Sequence, residues 1–248
     1  MSEAQELHVY DDQDQVANAA AARLVDAILA TQSQGQVSHL SLTGGRGGLN
    51  TLAAVRNQDR VDEIDWKRVE LWWSDERFLP NGDPERNETG AWDALLNHVD
   101  LDPARIHPMP DLGEEYGDDV EAAAKGYAAE LAAAAESGDC PLFDVSLLGI
   151  GEDAHIASLF PGHEQQFAPE TVVSISDSPK PPPQRTTFTM RVINNSKQVW
   201  LVAFGDGKAD AIKLATSNLP AIEAPAGAAR GQDSTVLFCD RLAAKLLS

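Results

Sequence analysis

The chain is poor in cysteine and in basic side chains. Its two cysteines, Cys140 and Cys239, cannot form a zinc site alone and imply no disulfide framework. Its 19 Lys and Arg stand against 39 Asp and Glu, a net charge of −20 that opposes binding to nucleic acid or to an anionic membrane. We expect a small-molecule partner, and separately a chain that is monomeric or weakly homo-oligomeric. A site for an anionic ligand would need a local cluster of cations.

Signals for export, membrane insertion and several enzyme classes are also lacking. The N-terminus has no basic region followed by an apolar run, and no apolar run approaches the roughly 18–20 residues of a membrane span. The sequence thus predicts a cytoplasmic protein. It contains no GxSxG elbow, no HExxH motif and no P-loop, and its remaining histidines lack metal-ligand spacing. We expect no metal and no cofactor.

Segments typical of strands alternate with segments typical of helices. The predicted strands span 7–10, 37–42, 69–73, 143–148, 171–175, 186–192, 199–204 and 235–239, with a short extended piece at 105–109. The predicted helices span 16–29, 49–55, 86–98, 119–136, 208–215 and 240–247. This alternation predicts an α/β fold with a mainly parallel central sheet flanked by helices. No repeat or composition break divides the chain, so we expect one domain over residues 1–248.

Four polar turns follow predicted strands, at residues 43–48, 74–77, 149–155 and 205–208. In sheets of this kind ligands bind beyond the carboxyl ends of the strands. We therefore expect the four turns to lie along one edge and to form the site.

The turn TGGRGG and two later cations are candidates for anion binding. Thr43, Gly44, Gly45 and Arg46 precede a predicted helix, so backbone N–H groups can approach an anion without obstruction by Cβ. On these residues alone, a tight turn without a ligand is an equal alternative. Arg185 and Lys208 are further candidates, because Lys208 lies at a helix start; taken singly, each is more simply an exposed cation.

Residues 149–155, GIGEDAH, and the turn SDER are candidates for catalysis. Histidine titrates near neutrality, so His155 can take a proton from water, and Asp153 can orient its imidazole. Asp75 and Arg77 could both face the same cleft, with Arg77 as a phosphate or oxyanion partner. The simpler alternatives are a satisfied loop histidine and a solvated charged turn.

Taken together and in this order, these segments resemble the 6-phosphogluconolactonase family over nearly the whole chain. The most specific part, LGIGEDAHIASLFPG at 148–162, is similar to the family pattern LGxGxDGHxASLFPG. WWSDERFLPNGDPERN, PPPQRTTFT, FGDGKADAI and the final STVLFCDRLAAKLL resemble further family segments. The resemblance implies cofactor-free hydrolysis of 6-phosphoglucono-δ-lactone and a fold shared with glucosamine-6-phosphate deaminase and ribose-5-phosphate isomerase. It also implies His155 as general base, and Arg77, Arg185, Lys208 and the Gly44–Gly45 backbone as substrate anchors.

The chain departs from the family pattern at several positions. Ala154 stands where the family has glycine, and a positive φ there would strain alanine by about 1 kcal/mol or more. Arg46 and Gly48 replace the usual Ser and Pro of the first turn, and Arg86 stands where Ser is common.

Two rival functions are open to this sequence. The first is a glucosamine-6-phosphate deaminase, but deaminases carry NEPG after the histidine segment where this chain has SLFPG. The second is a non-catalytic sugar-phosphate sensor. Such a sensor would need a DNA-binding module, which the sequence lacks and which a net charge of −20 opposes.

Overall fold

The computed structural model describes residues 5–113 and 115–247. Its strands are Glu6–Tyr10 (β1), Ser38–Leu42 (β2), Val69–Trp73 (β3), Asp75–Arg77 (β4), Ile106–His107 (β5), Phe143–Gly149 (β6), Val172–Ile175 (β7), Arg185–Phe188 (β8), Ser196–Ala203 (β9) and Ser234–Asp240 (β10). Its α-helices are Gln13–Ser33 (α1), Gly45–Val55 (α2), Asn87–Ala94 (α3), Val120–Ala134 (α4), Met190–Ile193 (α5), Ala209–Thr216 (α6) and Pro225–Ala228 (α7). Short 3-10 segments lie at Val61–Glu63, Trp66–Arg68, Leu96–His98, Pro103–Arg105, Glu164–Phe167 and Asp206–Lys208.

The central sheet has seven strands in the order β1-β10-β9-β6-β2-β3-β5, and every neighbouring pair is parallel. The prediction of a mainly parallel sheet flanked by helices is confirmed. After β2 the chain builds outward through β3 and β5, then returns to the other side of β2 with β6, β9 and β10. The boundary between β2 and β6 is therefore a topological switch point, where the loops diverge and leave a crevice.

Helix α1 shows how sequence periodicity produces these layers. Val16, Ala20, Leu24 and Ile28 recur every four residues, lie on one face and are almost fully buried. Each such Val, Leu or Ile contributes about 1.5–3 kcal/mol on burial. The helix begins where Asp12 accepts a hydrogen bond from the backbone N–H of Gln15 at 2.9 Å, which satisfies one of its free donors.

A second, three-stranded antiparallel sheet has the order β4-β8-β7 and was not predicted. The predicted strand 186–192 is wrong beyond Phe188, because helix α5 begins at Met190. Thr189 makes the turn: its hydroxyl donates to the carbonyl oxygen of Glu170 at 2.8 Å. In this sheet Arg77 lies directly opposite Arg185.

Two predicted helices also differ from the structure. The predicted helix 240–247 is wrong: Asp240 is the last residue of β10 and residues 241–246 form turns. The bond from Ala244 N to Asp240 O is followed by a tighter one from Leu247 N to Ala244 O, so no helical ladder continues. The predicted helix 86–98 ends at Ala94. Among the helices of the described residues, none is long and apolar enough to cross a membrane.

Candidate active site

The four polar turns meet beyond the carboxyl ends of the parallel strands, a side of the sheet that we call the carboxyl edge. They surround a cavity of about 410 Å³. The turns follow β2, β3, β6 and β9, so they flank the switch point between β2 and β6. The cavity is lined by these predicted site residues: Thr43, Gly44, Gly45, Arg46, Asp75, Arg77, His155, Arg185 and Lys208. Asp153 is not among the lining residues and reaches the site through His155.

His155 and Asp153 form a hydrogen-bonded pair, with 2.5 Å between Nδ1 of the imidazole and Oδ1 of the carboxylate. A proton on Nδ1 leaves Nε2 as a proton acceptor. Burial opposes ionisation of Asp153, but the hydrogen bond and charge of His155, with a smaller contribution from Lys180, outweigh it. The pKa of Asp153 therefore lies well below its usual range. The carboxylate stays charged at neutral pH and can stabilise an imidazolium.

Gly151 gives the imidazole its place. A Cβ at this position would lie 2.0 Å from Nδ1 of His155, so only glycine allows the ring to pack against this turn. The turn is closed by Gly151 N donating to the carbonyl oxygen of His155 at 2.8 Å.

Ala154, which stands where the family has glycine, does have a positive φ, of 67°. Its amide donates to Gly151 O at 3.1 Å and its carbonyl accepts from Ala226 N at 3.0 Å. These two bonds hold a conformation that costs alanine about 1–2 kcal/mol.

The glycine turn after β2 brings the N-terminus of helix α2 to the cavity. Gly45 has φ of 67° and begins this helix, and a Cβ on Gly44 would lie 1.8 Å from Oδ1 of Asn87. Free N–H groups of the first helical turn can therefore approach an anion. Arg46 is exposed at the cavity, with its guanidinium 5.6 Å from the ring centroid of Phe204.

Five cations converge on the cavity without carboxylate partners. None of Arg46, Arg77, Lys180, Arg185 and Lys208 forms an ion pair with a residue in the described ranges, whereas basic residues elsewhere commonly do. Burial lowers the pKa of Arg185 and, with opposition from Glu152, that of Lys208. Unpaired cations in a chain of net charge −20 leave their charge available to an anionic ligand.

Two of these cations make hydrogen bonds to backbone carbonyls instead. Arg77 donates from Nη1 to Glu85 O. Arg185 donates from Nε to Pro182 O at 3.2 Å and from Nη2 to the carbonyls of Lys180 and Pro181 at 3.1 and 3.2 Å. Both guanidinium groups are therefore fixed in direction at one side of the cavity.

Asp75 is held by side chains that sequence reasoning did not place in the site. Its Oδ2 accepts from Ser158 Oγ at 2.7 Å, and its Oδ1 accepts from Asn87 Nδ2 at 3.2 Å. Asn87 is itself fixed because its backbone N–H donates to Glu76 Oε1 at 2.7 Å. Burial raises the pKa of Glu76 to about 7, against three backbone N–H donors and Arg86. The residues are far apart in sequence, so spacing alone could not reveal this network.

The geometry combines a proton acceptor, a crevice and a set of cations. His155 can activate a water molecule, and the cations and helix N-terminus can hold an anion at a distance from it. Within residues 5–113 and 115–247, no group of three or more His, Cys, Asp or Glu side chains is placed to hold a metal ion.

Known proteins of similar sequence and structure point to one family. The family model described as glucosamine-6-phosphate isomerases/6-phosphogluconolactonase matches residues 11–238. A Streptomyces coelicolor protein named 6-phosphogluconolactonase is 47% identical over 251 residues, covering 100% of this chain and 96% of that protein.

Solved structures agree on the fold. The 6-phosphogluconolactonase of Trypanosoma brucei superimposes with a TM-score of 0.85 at 22% identity, covering 98% of this chain and 99% of that one. A monomeric glucosamine-6-phosphate deaminase has a TM-score of 0.80 at 25% identity, covering 98% and 100%. The model match and the full-length identity together place the chain: it belongs to the glucosamine-6-phosphate isomerase/6-phosphogluconolactonase family.

Proposed function

We propose that this protein hydrolyses 6-phospho-D-glucono-1,5-lactone to 6-phospho-D-gluconate, the second step of the oxidative pentose phosphate pathway. The observation that carries the proposal is the His155–Asp153 pair at a cavity lined by unpaired cations. The 47% identity to a full-length relative named 6-phosphogluconolactonase supports it.

In the proposed mechanism His155 acts as general base. Its Nε2 takes a proton from water as the oxygen attacks the lactone carbonyl, and the tetrahedral intermediate then expels the ring oxygen, which receives that proton from the imidazolium. The product acid ionises and releases a proton. Asp153 holds the reactive tautomer and stabilises the imidazolium. General-base help of this kind contributes roughly 10²–10⁴-fold in rate.

The negative charge that develops on the carbonyl oxygen needs a hydrogen-bond donor to stabilise it. Arg77, or backbone N–H groups of the glycine turns, can supply it, and such stabilisation is often worth about 3–4 kcal/mol. Asp75 lies close to Arg185 and is fixed by Ser158, so we assign it to orienting groups in the site.

The 6-phosphate lies remote from the reacting carbon in this proposal. Thr43, Gly44 and Gly45 at the start of α2 hold it together with Arg46, Arg185 and Lys208. Such remote anchoring converts binding energy into orientation of the lactone ring. We propose that neither a cofactor nor a metal takes part, because His155 can activate the water.

The deaminase-like alternative is less well supported by the residues after His155. Ser158 occupies the start of SLFPG, is fully buried and uses its hydroxyl on Asp75. No carboxylate stands there to assist opening of an amino-sugar ring. A non-catalytic sensor would have no use for the His155–Asp153 pair.

The remaining features of the proposal concern the protein as a whole. We propose a cytoplasmic enzyme, monomeric or weakly homo-oligomeric, in which residues 1–248 form one domain. Its partner is the small-molecule lactone, with no nucleic acid or membrane involved.

The test is proton release from freshly generated 6-phosphogluconolactone in weak buffer. Because the lactone also hydrolyses spontaneously, the expected result is a rate above background that is proportional to protein concentration. Ammonia release from glucosamine 6-phosphate is measured in parallel. Ammonia release with no lactonase activity would favour the deaminase, and binding of sugar phosphate without turnover would favour the sensor.

A further inference from the structure

Lys180 is a cation of the cavity to which nothing above gives a role. It lies in the segment 176–184 between β7 and β8, is half-buried, and lines the cavity together with Pro181. It forms no ion pair with any residue that the structure describes. Its charge acts on Asp153, whose pKa it helps to lower, but the two side chains form no ion pair, and the Lys180 ammonium can still bind an anionic ligand.

The backbone that carries Lys180 is held in place. Ser178 N donates to Pro183 O at 3.1 Å, and Ser178 Oγ donates to Lys180 O at 2.8 Å. Arg185, only 5% exposed, donates from Nη2 to the same Lys180 carbonyl at 3.1 Å. The segment is therefore tied to strand β8, and Lys180 is presented to the cavity from a fixed origin.

The cations of the cavity form two groups. Arg77 and Arg185 lie opposite each other on β4 and β8, close to Asp75. Burial lowers the pKa of Lys208; Glu152 opposes this effect, and the positive charges of Lys180 and Arg46 add to it. Lys180, Arg46 and Lys208 thus form a cationic group beside the glycine turn and the start of α2.

We propose that Lys180 binds the phosphate of the substrate directly, together with Lys208. Arg185, assigned to the phosphate under the proposed function, then acts on it as a positioning residue that holds the segment carrying Lys180. A phosphate dianion offsets the repulsion among the three cations beside the helix N-terminus. The identity of the phosphosugar rests on the proposed function. The placement of Lys180 rests on the cavity and on the Arg185 hydrogen bonds alone.

The first experiment compares Lys180→Met and Lys180→Arg with the wild type. Lys213→Met is the matched control, because Lys213 is exposed on α6 and is not among the residues that line the cavity. Steady-state kinetics use 6-phosphogluconolactone and unphosphorylated gluconolactone. Calorimetry measures binding of 6-phosphogluconate and of gluconate, so that binding is read without turnover.

Lys180→Met is expected to weaken binding of 6-phosphogluconate by about 10- to 100-fold, the effect of losing one hydrogen bond to a charged group. KM for the phosphorylated lactone rises, kcat is retained, and turnover of gluconolactone is unchanged. Lys180→Arg restores most of the affinity, and Lys213→Met resembles the wild type. Equal losses on both substrates, or unchanged affinity, would overturn the assignment of Lys180 to the phosphate.

The second experiment tests Arg185 with Arg185→Lys, which keeps the charge but cannot donate to three carbonyls at once. If Arg185 acts through Lys180, this variant weakens 6-phosphogluconate binding, and the double variant with Lys180→Met binds no more weakly than Lys180→Met alone. Additive losses would show that Arg185 contacts the phosphate itself. A wild type that binds 6-phosphogluconate through Lys180 but does not hydrolyse the lactone would refute the proposed function and leave this assignment standing.

Discussion

One cavity lies at the amino ends of the parallel strands, here called the amino edge, and another lies at the carboxyl edge. The larger of the two is not the candidate active site. The cavity at the amino edge has a volume of about 880 Å³ and is lined by His39, Glu70, His107 and Asp144, among others. The cavity at the carboxyl edge has about 410 Å³. Both are lined by several titratable side chains, so neither the larger volume nor the presence of such side chains identifies the active site.

The two cavities differ in how their charges are paired. At the amino edge Glu70 binds Arg105 and His107, and Asp144 binds Lys197 at 2.8 Å and the Thr31 hydroxyl at 2.9 Å. At the carboxyl edge the five cations have no carboxylate partner among the residues described. A cavity whose charges satisfy one another is explained by folding alone. The other cavity holds more cations than carboxylates, with Asp75 and Glu152 as its lining acids, and this excess of positive charge suits an anionic ligand.

The largest effect is expected from His155→Ala. Loss of the general base should lower kcat by roughly 10²–10⁴-fold and leave KM nearly unchanged, because the phosphate contacts remain. Steady-state kinetics on the lactone measure both constants. His39→Ala at the amino edge is the matched control and should keep wild-type kcat. A wild-type kcat in His155→Ala would remove this residue from the mechanism.

Asp153→Asn should have the next largest effect. The amide cannot stabilise an imidazolium and can favour the wrong tautomer, so kcat should fall by roughly 10²-fold or more with little change in KM. A circular dichroism spectrum like that of the wild type would show that the fold survives. If kcat falls no further than in a neutral control such as Asp177→Asn, in the exposed part of the segment 176–184, the assigned role of Asp153 is wrong.

Charged residues at the amino edge should affect the free energy of unfolding and its dependence on pH. Burial disfavours the charged form of His107, but hydrogen bonds to Glu130 and Glu70, each 2.6 Å, outweigh it and raise its pKa to about 9. The stabilisation is complete below the unfolded pKa of about 6.5 and is lost as pH rises through 9. We expect about 1–2 kcal/mol, because Glu130 is exposed and water screens its share.

Urea unfolding of the wild type and His107→Gln measures this contribution. The gap in unfolding free energy should be about 1–2 kcal/mol wider at pH 6 than at pH 10. Activity at neutral pH should not change. A gap that is independent of pH, or a large loss of kcat, would contradict the view that charges at this edge serve only the fold.

The smallest effect is expected at Ala154. Ala154→Gly removes about 1–2 kcal/mol of backbone strain, but it also removes a fully buried methyl group and adds entropy to the unfolded chain. These terms oppose each other, so the unfolding free energy should change by less than about 1 kcal/mol. Stabilisation well above that would mean that the turn holding His155 is more strained than its hydrogen bonds indicate.

Most of the sheet was predictable, because buried strands and helices carry their own periodicity. Once the parallel sheet was predicted, the turns after β2, β3, β6 and β9 were predictable as a site, because parallel strands bring their carboxyl ends to one edge. The strand 186–192 was mispredicted because its β-branched run continues past Phe188, while a tertiary hydrogen bond from Thr189 turns the chain. The predicted helix 240–247 starts on a residue that ends β10, and the chain continues from it only as turns.

The candidate site was predictable as a set of residues but not as a set of contacts. His155 and Asp153 are two residues apart, so their pairing is local and follows from the glycine turn. Lys180 lies in a proline-rich stretch that is typical of a surface loop, and hydrogen bonds from Arg185 and Ser178 hold this stretch at the cavity. Ser158 and Asn87 meet at Asp75 from distant parts of the chain.

The unpaired cations also affect how the folded state responds to its own ligand. With the cavity empty, five like charges repel one another, and an anion that binds relieves this repulsion. A ligand at 100 times its Kd stabilises the folded state by about 2.7 kcal/mol. The protein should therefore melt at a higher temperature when saturated with sugar phosphate. In Lys180→Met the rise in melting temperature should be smaller, because one of the cations that bind the phosphate has been lost.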